Sequence, residues 1–336
     1  MNIGTIQTIG ALCNVKGTST FFAVTYGGEI FKSFDDGLTW AKISTLPTPT
    51  TGGVYASKGI AFVSPSVGFC TGFTSAWAES KIFKTTDGGS TWNSVYTHSR
   101  QLLAVSFPTQ TRGFVTGFGG IVLRTDDGGN SWSIYQVDPI RTLYAVSFPD
   151  ENTGYVGGAG AVLWKTIDGG LTWNPVGLDF MVQQSDNTVA GYAVYGLSFL
   201  TPLKGCVSGA SAIAQTVDGG QSWKVIVTAP TIRVLLYGAL QIDELKTLVS
   251  ADYQGIVRSE NLWQSYWNPP TQLTGSNSCV ARNGSIIVVG GGGGNIARSM
   301  NLGLDFGFGT GEEYQVEQAV SAIEPAIATR KGKGKK

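Results

Sequence analysis

Residues 145–173 read AVSFPDENTGYVGGAGAVLWKTIDGGLTW, and the parts of this stretch return along the chain. Three apolar runs, AVSF, GYVGG and AVLWKT, are bounded by Pro, Asn, Asp or Gly, and an Asp-Gly-Gly turn then leads to a tryptophan. Runs of about 5 residues punctuated in this way are strands joined by tight turns. The copy before it reads LLAVSF (102–107), GFVTG (113–117), IVLRT (121–125) and SWSIY (131–135). One unit is therefore four strands, A to D, with the acidic turn between C and D.

Aligned on the closing aromatic, the copies end at Trp40, Trp92, Trp132, Trp173 and Trp223, followed by two degenerate copies ending at Tyr266 and Phe306. The spacings are 52, 40, 41, 50, 43 and 40 residues. A period of roughly 40 to 50 residues is that of a propeller blade, a unit that cannot bury both its faces alone. The expected fold is an all-β, seven-bladed β-propeller with four-stranded antiparallel blades. It occupies residues 1–310 as a single domain, and a tail follows at 311–336. Val316, Val320 and Ile323 recur at helical spacing, so the tail is expected to hold a short amphipathic helix from about 312 to 323. Its end, RKGKGKK (330–336), is a solvated tail or a docking peptide for an acidic partner or nucleic acid. A ring must also close on itself. Residues 2–8, NIGTIQT, are placed to pair into the last blade, and the segment after Phe306 is the other candidate.

The turn motif, S/T-x-D-x-G-x-S/T-W, places Asp35, Asp87, Asp127, Asp168 and Asp218 at its centre. An aspartate in a tight turn accepts backbone N–H groups and nearby hydroxyls, and the glycine supplies the positive φ that the turn needs. Trp40, Trp92, Trp132, Trp173 and Trp223 then pack between sheets. Each residue of the motif has a structural task, which leaves no carboxylate for a substrate. The spacing resembles the Asp-box, or BNR, repeat of sialidases and sortilin-type receptors. The fuller pattern, an aliphatic-x-Ser-Phe-Pro, then Gly-Tyr/Phe-Val-x-Gly, then the box, resembles the seven-bladed photosystem II assembly and stability factor family. Weaker forms of it run over residues 9–310. That resemblance implies a non-catalytic protein that holds assembling membrane-protein complexes. In the sixth and seventh copies Asn261 and Asn301 stand where the aspartate belongs, so those two turns are expected to be remodelled.

Composition narrows the function. The 336 residues include 47 glycines, 11% aromatics and only 14% charged residues, which suits short strands and tight turns. Basic and acidic residues balance at 23 each, so no global field attracts nucleic acid outside the tail. The chain has one histidine and four scattered cysteines, 13, 70, 206 and 279, which is poor material for a metal site or a histidine-based triad. No metal and no cofactor is expected, and the cysteines are read as mostly buried free thiols, with a Cys13–Cys279 pair conceivable at ring closure. Residues 1–10 lack the basic and apolar regions of a secretory signal, and no apolar run is long enough to span a membrane, so a cytoplasmic or virion location is expected.

Strand bookkeeping puts the D–A and B–C connections on one face of the ring and the Asp-box turns on the other. The long connections, 44–55, 74–81 and 177–191, all belong to the first face, which is the candidate binding surface. Trp77, Phe180 and Met181 are hydrophobic residues in these polar insertions, suited to anchor a partner or to fold back over blade edges. Arg100, Arg141 and Arg233 each stand three or four residues before an A-strand position (Leu103, Tyr144, Tyr237), on the same face near the axis. Such a guanidinium cluster clamps a carboxylate or phosphate, and the bland alternative is that each caps its own blade or pairs with a neighbouring acid. The leading expectation is a non-enzymatic scaffold that binds protein partners in a larger complex. A virion or surface component that recognises a receptor or glycan is the alternative, and a sialidase-like hydrolase stands third.

Overall fold

The computed structural model describes residues 1–49, 52–74, 79–178, 193–209, 212–227, 236–243, 246–251, 255–259, 265–268, 277–300 and 312–315. The first blade is β1 (Ile9–Asn14), β2 (Phe21–Thr25), β3 (Glu29–Ser33) and β4 (Ala41–Thr45), paired antiparallel in that order. The second is β5 (Ile60–Phe62), β6 (Gly68–Phe73), β7 (Ser80–Thr85) and β8 (Asn93–His98), and the third is β9 (Leu102–Ser106), β10 (Gly113–Gly117), β11 (Ile121–Thr125) and β12 (Ser133–Gln136). The fourth comprises β13 (Leu143–Ser147), β14 (Gly154–Gly158), β15 (Val162–Thr166) and β16 (Asn174–Val176). The fifth comprises β17 (Val194–Phe199), β18 (Gly205–Gly209), β19 (Ala212–Thr216) and β20 (Lys224–Val227). The sixth holds β21 (Leu236–Gln241), β22 (Thr247–Ala251), β23 (Gly255–Ser259) and β24 (Ser265–Asn268). The remaining strands are β25 (Asn277–Asn283), β26 (Ile286–Gly291), β27 (Ile296–Ser299) and β28 (Glu312–Gln315).

These last strands correct the expected blade count. Six blades have four strands or more, and β25–β27 form a sheet of only three among the described residues. The expectation of seven four-stranded blades therefore fails at the last copy of the repeat. The strand that follows that copy, β28, pairs with β24 through Ser265↔Gln315 to Asn268↔Glu312 and gives the sixth blade a fifth strand. A helix beginning at 312 is excluded by the same pairing, and the rest of that expected helix lies outside the described residues.

Closure of the ring falls to the other end of the chain. Ile3 donates its N–H to the Gly294 carbonyl at 3.0 Å, and Ile296 donates to Met1 at 2.7 Å, beside an Asn2↔Asn295 bridge. The innermost strands then run round the axis: β25 lies beside β1, β1 beside β5, and so on through β9, β13, β17 and β21 back to β25. Cys279 points its thiol at the Ile9 and Gly290 carbonyls, and all four cysteines are free. Burial pushes the Cys70 and Cys279 thiols up to about 12, which keeps them protonated and unreactive.

Neighbouring blades are joined by one repeated sandwich, which explains the aromatic positions of the motif. The B-strand ring of one blade stacks on the phenylalanine at, or one residue beyond, the end of the next blade's A strand. The pairs are Phe22 on Phe62 at 3.7 Å, Phe69 on Phe107 at 4.1 Å, Phe114 on Phe148 at 3.7 Å and Tyr155 on Phe199 at 3.5 Å. The box tryptophan of that next blade then meets the stack edge-on, as Trp92 does with Phe62 and Trp173 with Phe148. Such stacked and edge-on pairs add about 0.5–1.5 kcal/mol each beyond the burial of their area.

Candidate functional site

The Asp-box turns are closed systems. In the second blade Thr85 donates its hydroxyl to Asp87 at 2.8 Å and accepts the Gly89 N–H at 2.9 Å, while Asp87 also accepts the N–H and the hydroxyl of Thr91. The same four bonds recur around Asp35, Asp127, Asp168 and Asp218. Hydroxyl and backbone donors hold these carboxyls well below their ordinary range, at about 2 for Asp35, Asp87 and Asp218. A carboxylate so bonded neither takes a proton near neutral pH nor turns toward a substrate.

The turns also receive a cation from the neighbouring blade, a feature the motif reading passed over. Lys32 donates to the Gly88 carbonyl at 3.2 Å, Lys84 to Gly128 at 2.7 Å and Lys165 to Gly219 at 2.9 Å. Arg298 of the three-stranded sheet donates to the Asp36 carbonyl of the first blade at 2.7 Å, which bonds the ring across its closure. The signal was in the sequence: each of these residues immediately precedes the Ser or Thr that opens its own box.

The opposite face carries the central channel, and β-bulges shape its mouth. The register shifts near the start of β1, β9, β13, β17, β21 and β25, and an equivalent shift lies between Ala56↔Phe73 and Ile60↔Cys70. A bulge leaves one residue unpaired and re-aims its side chain. On three successive blades the residue so placed is a tyrosine. Tyr144 and Tyr195 lie with ring centroids 5.3 Å apart, and Tyr195 and Tyr237 are again 5.3 Å apart. Gly10 holds the equivalent place in the first blade and leaves room for the Tyr26 ring, which a Cβ on Gly10 would meet at 2.8 Å. Lys58 is at the bulge before β5, with its ammonium 5.7 Å from the centre of the Tyr26 ring.

These groups share one environment. Burial pushes the Tyr26 hydroxyl up to about 12, with neighbouring Cys279 and Tyr237 adding to the rise. Burial likewise raises Tyr144, with Tyr195 contributing. Lys58 is exposed, yet the surrounding protein displaces part of the bulk water and lowers its ammonium's pKa. The signal for the tyrosines was the second residue of LYAVSF, VYGLSF and LYGALQ, where an aromatic stands out of phase with the buried face.

Two of the three expected arginines, Arg100 and Arg141, lie beside this mouth. Arg100 lies against Gly119 in the B–C turn of its own blade, and its backbone N–H is held by the His98 ring at 2.9 Å. Arg141 lies against Gly160 in the matching turn and pairs with Asp138 at 3.2 Å, while Asp138 also accepts the backbone N–H of Ile140 and Arg141. The Arg141 charge is thus matched within its own connection. Arg233, Trp77, Phe180 and Met181 lie outside the described residues. An outer groove of about 630 Å³ on the same face is lined by Asn2, Thr5, Gln7, Glu29, Lys42 and Val54. Its main charges are already paired, Glu29 with Lys42 at 2.7 Å and with the Thr5 hydroxyl at 2.5 Å.

Among the described residues no three His, Cys, Asp or Glu side chains gather as a metal site, and no helix is long and apolar enough to cross a membrane. No curated protein matches the sequence significantly. Solved structures do match the fold. YCF48 bound to D1 peptide is 14% identical with a TM-score of 0.65, over 90% of this chain and 94% of that one. YCF48 from Cyanidioschyzon merolae is 11% identical with a TM-score of 0.66, over 88% of this chain and 97% of that one. The GH74 xyloglucanase from Xanthomonas campestris is 14% identical with a TM-score of 0.60, over 90% of this chain and 60% of that one. The model of the family described as photosynthesis system II assembly factor YCF48 matches residues 55–141 and 131–230, more than half of the chain, and the protein belongs to that family.

Proposed function

We propose that this protein is a non-enzymatic assembly factor that holds a segment of a partner protein at the channel mouth, on the face of the D–A and B–C connections. The tyrosine wall carries the reading: Tyr144, Tyr195 and Tyr237 offer half-buried rings on three neighbouring blades. Rigid aromatic faces beside polar groups are the side chains that anchor protein interfaces. A relative with this fold was solved with a peptide of D1, which supports a peptide as the partner's contact. Trp77, Phe180, Met181 and Arg233, expected from the sequence on the same face, would extend the contact outward, with Arg100 at the rim. The GH74 neighbours share the fold, but the five Asp-box carboxylates of this chain are consumed by their own turns.

The test is a photo-crosslinker, p-benzoylphenylalanine, introduced at Tyr195 and, as a control, at Ser90 on the Asp-box face, in cells of the source organism. A protein captured from position 195 and not from position 90 is the expected outcome. Capture from position 90 alone, or release of sugar from xyloglucan by the purified protein, would overturn the proposal.

A further inference from the structure

The channel mouth holds an ammonium with no ion-pair partner among the described residues. Lys58 stands, exposed, on a bulge of the innermost strand layer close to the Tyr26 ring, and among the described residues no carboxylate lies within ion-pair distance of it. The other well-placed basic residues are engaged. Lys32, Lys84 and Lys165 bond box carbonyls, Lys42 and Lys81 pair with glutamates, and Arg141 pairs with Asp138. An exposed ammonium beside an aromatic ring, with no carboxylate near it, can take an anionic partner without breaking an ion pair of the fold. Next to it around the ring, Arg100 of the third blade brings a second exposed cation without a carboxylate partner among the described residues. Across the mouth lie the tyrosine faces, which suit apolar or planar groups.

We propose that the channel mouth is a carboxylate-binding site: Lys58 pairs with a carboxylate of the bound segment, and Tyr144, Tyr195 and Tyr237 cover the residues that carry it. The inference rests on the protein-binding reading above and names the chemistry of its partner. The carboxylate belongs either to an Asp or Glu side chain or to a chain end. Both present the same two oxygens to an ammonium, and both form a charge-assisted hydrogen bond with it.

The test follows Lys58 directly. Isotope-labelled dimethyl groups on the lysines keep the charge and report on each ammonium by NMR, and the Lys58 signal is identified by its loss in Lys58→Arg. Three probe peptides are titrated: acetyl-Ala-Ala-Ala with a free carboxyl end, acetyl-Ala-Glu-Ala-amide and acetyl-Ala-Gln-Ala-amide. The Lys58 signal is expected to move with the first or the second and not with the third, and which of the two moves it identifies the source of the carboxylate. Lys58→Gln should weaken binding of the effective peptide about tenfold, the loss of one charge-assisted bond. A signal that no peptide moves, or that the glutamine peptide moves equally, overturns the assignment. If position 195 still captures a protein after that result, the carboxylate assignment alone has failed. If neither experiment responds, the binding surface lies elsewhere.

Discussion

The Lys84 ammonium of the second blade donates to the Gly128 carbonyl in the Asp-box turn of the third blade at 2.7 Å, and to the Asn130 side chain at 3.1 Å. The same side chain lies over the Phe69 ring at 5.7 Å, so one residue ties the turn to the aromatic sandwich. Among the described residues, backbone pairing between neighbouring blades is limited to isolated bridges such as Ala159↔Ala193, so such cross-blade side-chain bonds set how each sheet is seated on the next. Lys84→Met keeps the apolar stem and removes the donor. It should lower stability by about 1 kcal/mol, as expected for a partly exposed charged hydrogen bond. Lys84→Arg should restore most of the loss. Urea denaturation measures both, and an unchanged midpoint in Lys84→Met would show that the bond contributes nothing net.

Thr125 is buried and makes two bonds at once, donating to Asp127 at 2.8 Å and accepting from the Gly129 N–H at 2.9 Å. Thr125→Val keeps the shape and strands that N–H. A buried backbone donor without a partner costs about 2 kcal/mol. The variant should therefore melt earlier while partner capture through Tyr195 stays intact, because the box lies on the face away from the channel mouth. Loss of capture with unchanged melting would mean that the box takes part in binding.

The strands and the box could be read from the sequence because they repeat, and a pattern that recurs against varied backgrounds exposes the residues each turn requires. The last sheet could not. Its spacing of 40 residues from Tyr266 to Phe306 matches a complete blade, but the number of strands in a sheet depends on which edges compete for which segments, and β28 pairs with β24. Val316, Val320 and Ile323 suggested a helix from about 312, whereas Glu312–Gln315 finds its hydrogen bonds along an open strand edge. The tyrosine wall was hidden for another reason. A bulge changes which way one residue points without changing the spacing of its neighbours, so the repeat pattern alone does not single out Tyr144.

Gly129 combines two constraints in one residue. Its φ is +78°, and a Cβ there would meet the Phe69 ring of the second blade at 2.4 Å. Gly129→Ala pays for a left-handed backbone and for displacing a stacked ring in a packed seam, together about 3 kcal/mol. Gly17, at φ +77° with open space around it, is the control. Gly17→Ala carries only the backbone strain, about 1–2 kcal/mol. Equal losses in the two variants would show that the seam yields freely.

Acid should dismantle the ring through its Asp boxes. In the folded protein Asp35, Asp87 and Asp218 titrate at about 2, below the ordinary 3.8, because the hydroxyl and backbone N–H of Thr39, Thr91 and Ser222 donate to the charged form. Asp127 and Asp168 are lowered further by the same kind of donors. For a group whose folded value is depressed, the unfolded chain binds the proton first, so the stabilisation is fully present above pH 3.8 and is lost as pH falls toward 2. Five turns of like chemistry titrate in the same window, which makes the decline steep. Urea midpoints should be flat from neutrality down to about pH 4.5 and fall sharply between pH 4 and 2. Asp87→Asn should flatten part of that fall, since an amide has no proton to gain there, while starting from a lower midpoint at neutral pH. A midpoint that already declines between pH 7 and 5 would place the acid-sensitive group outside the boxes.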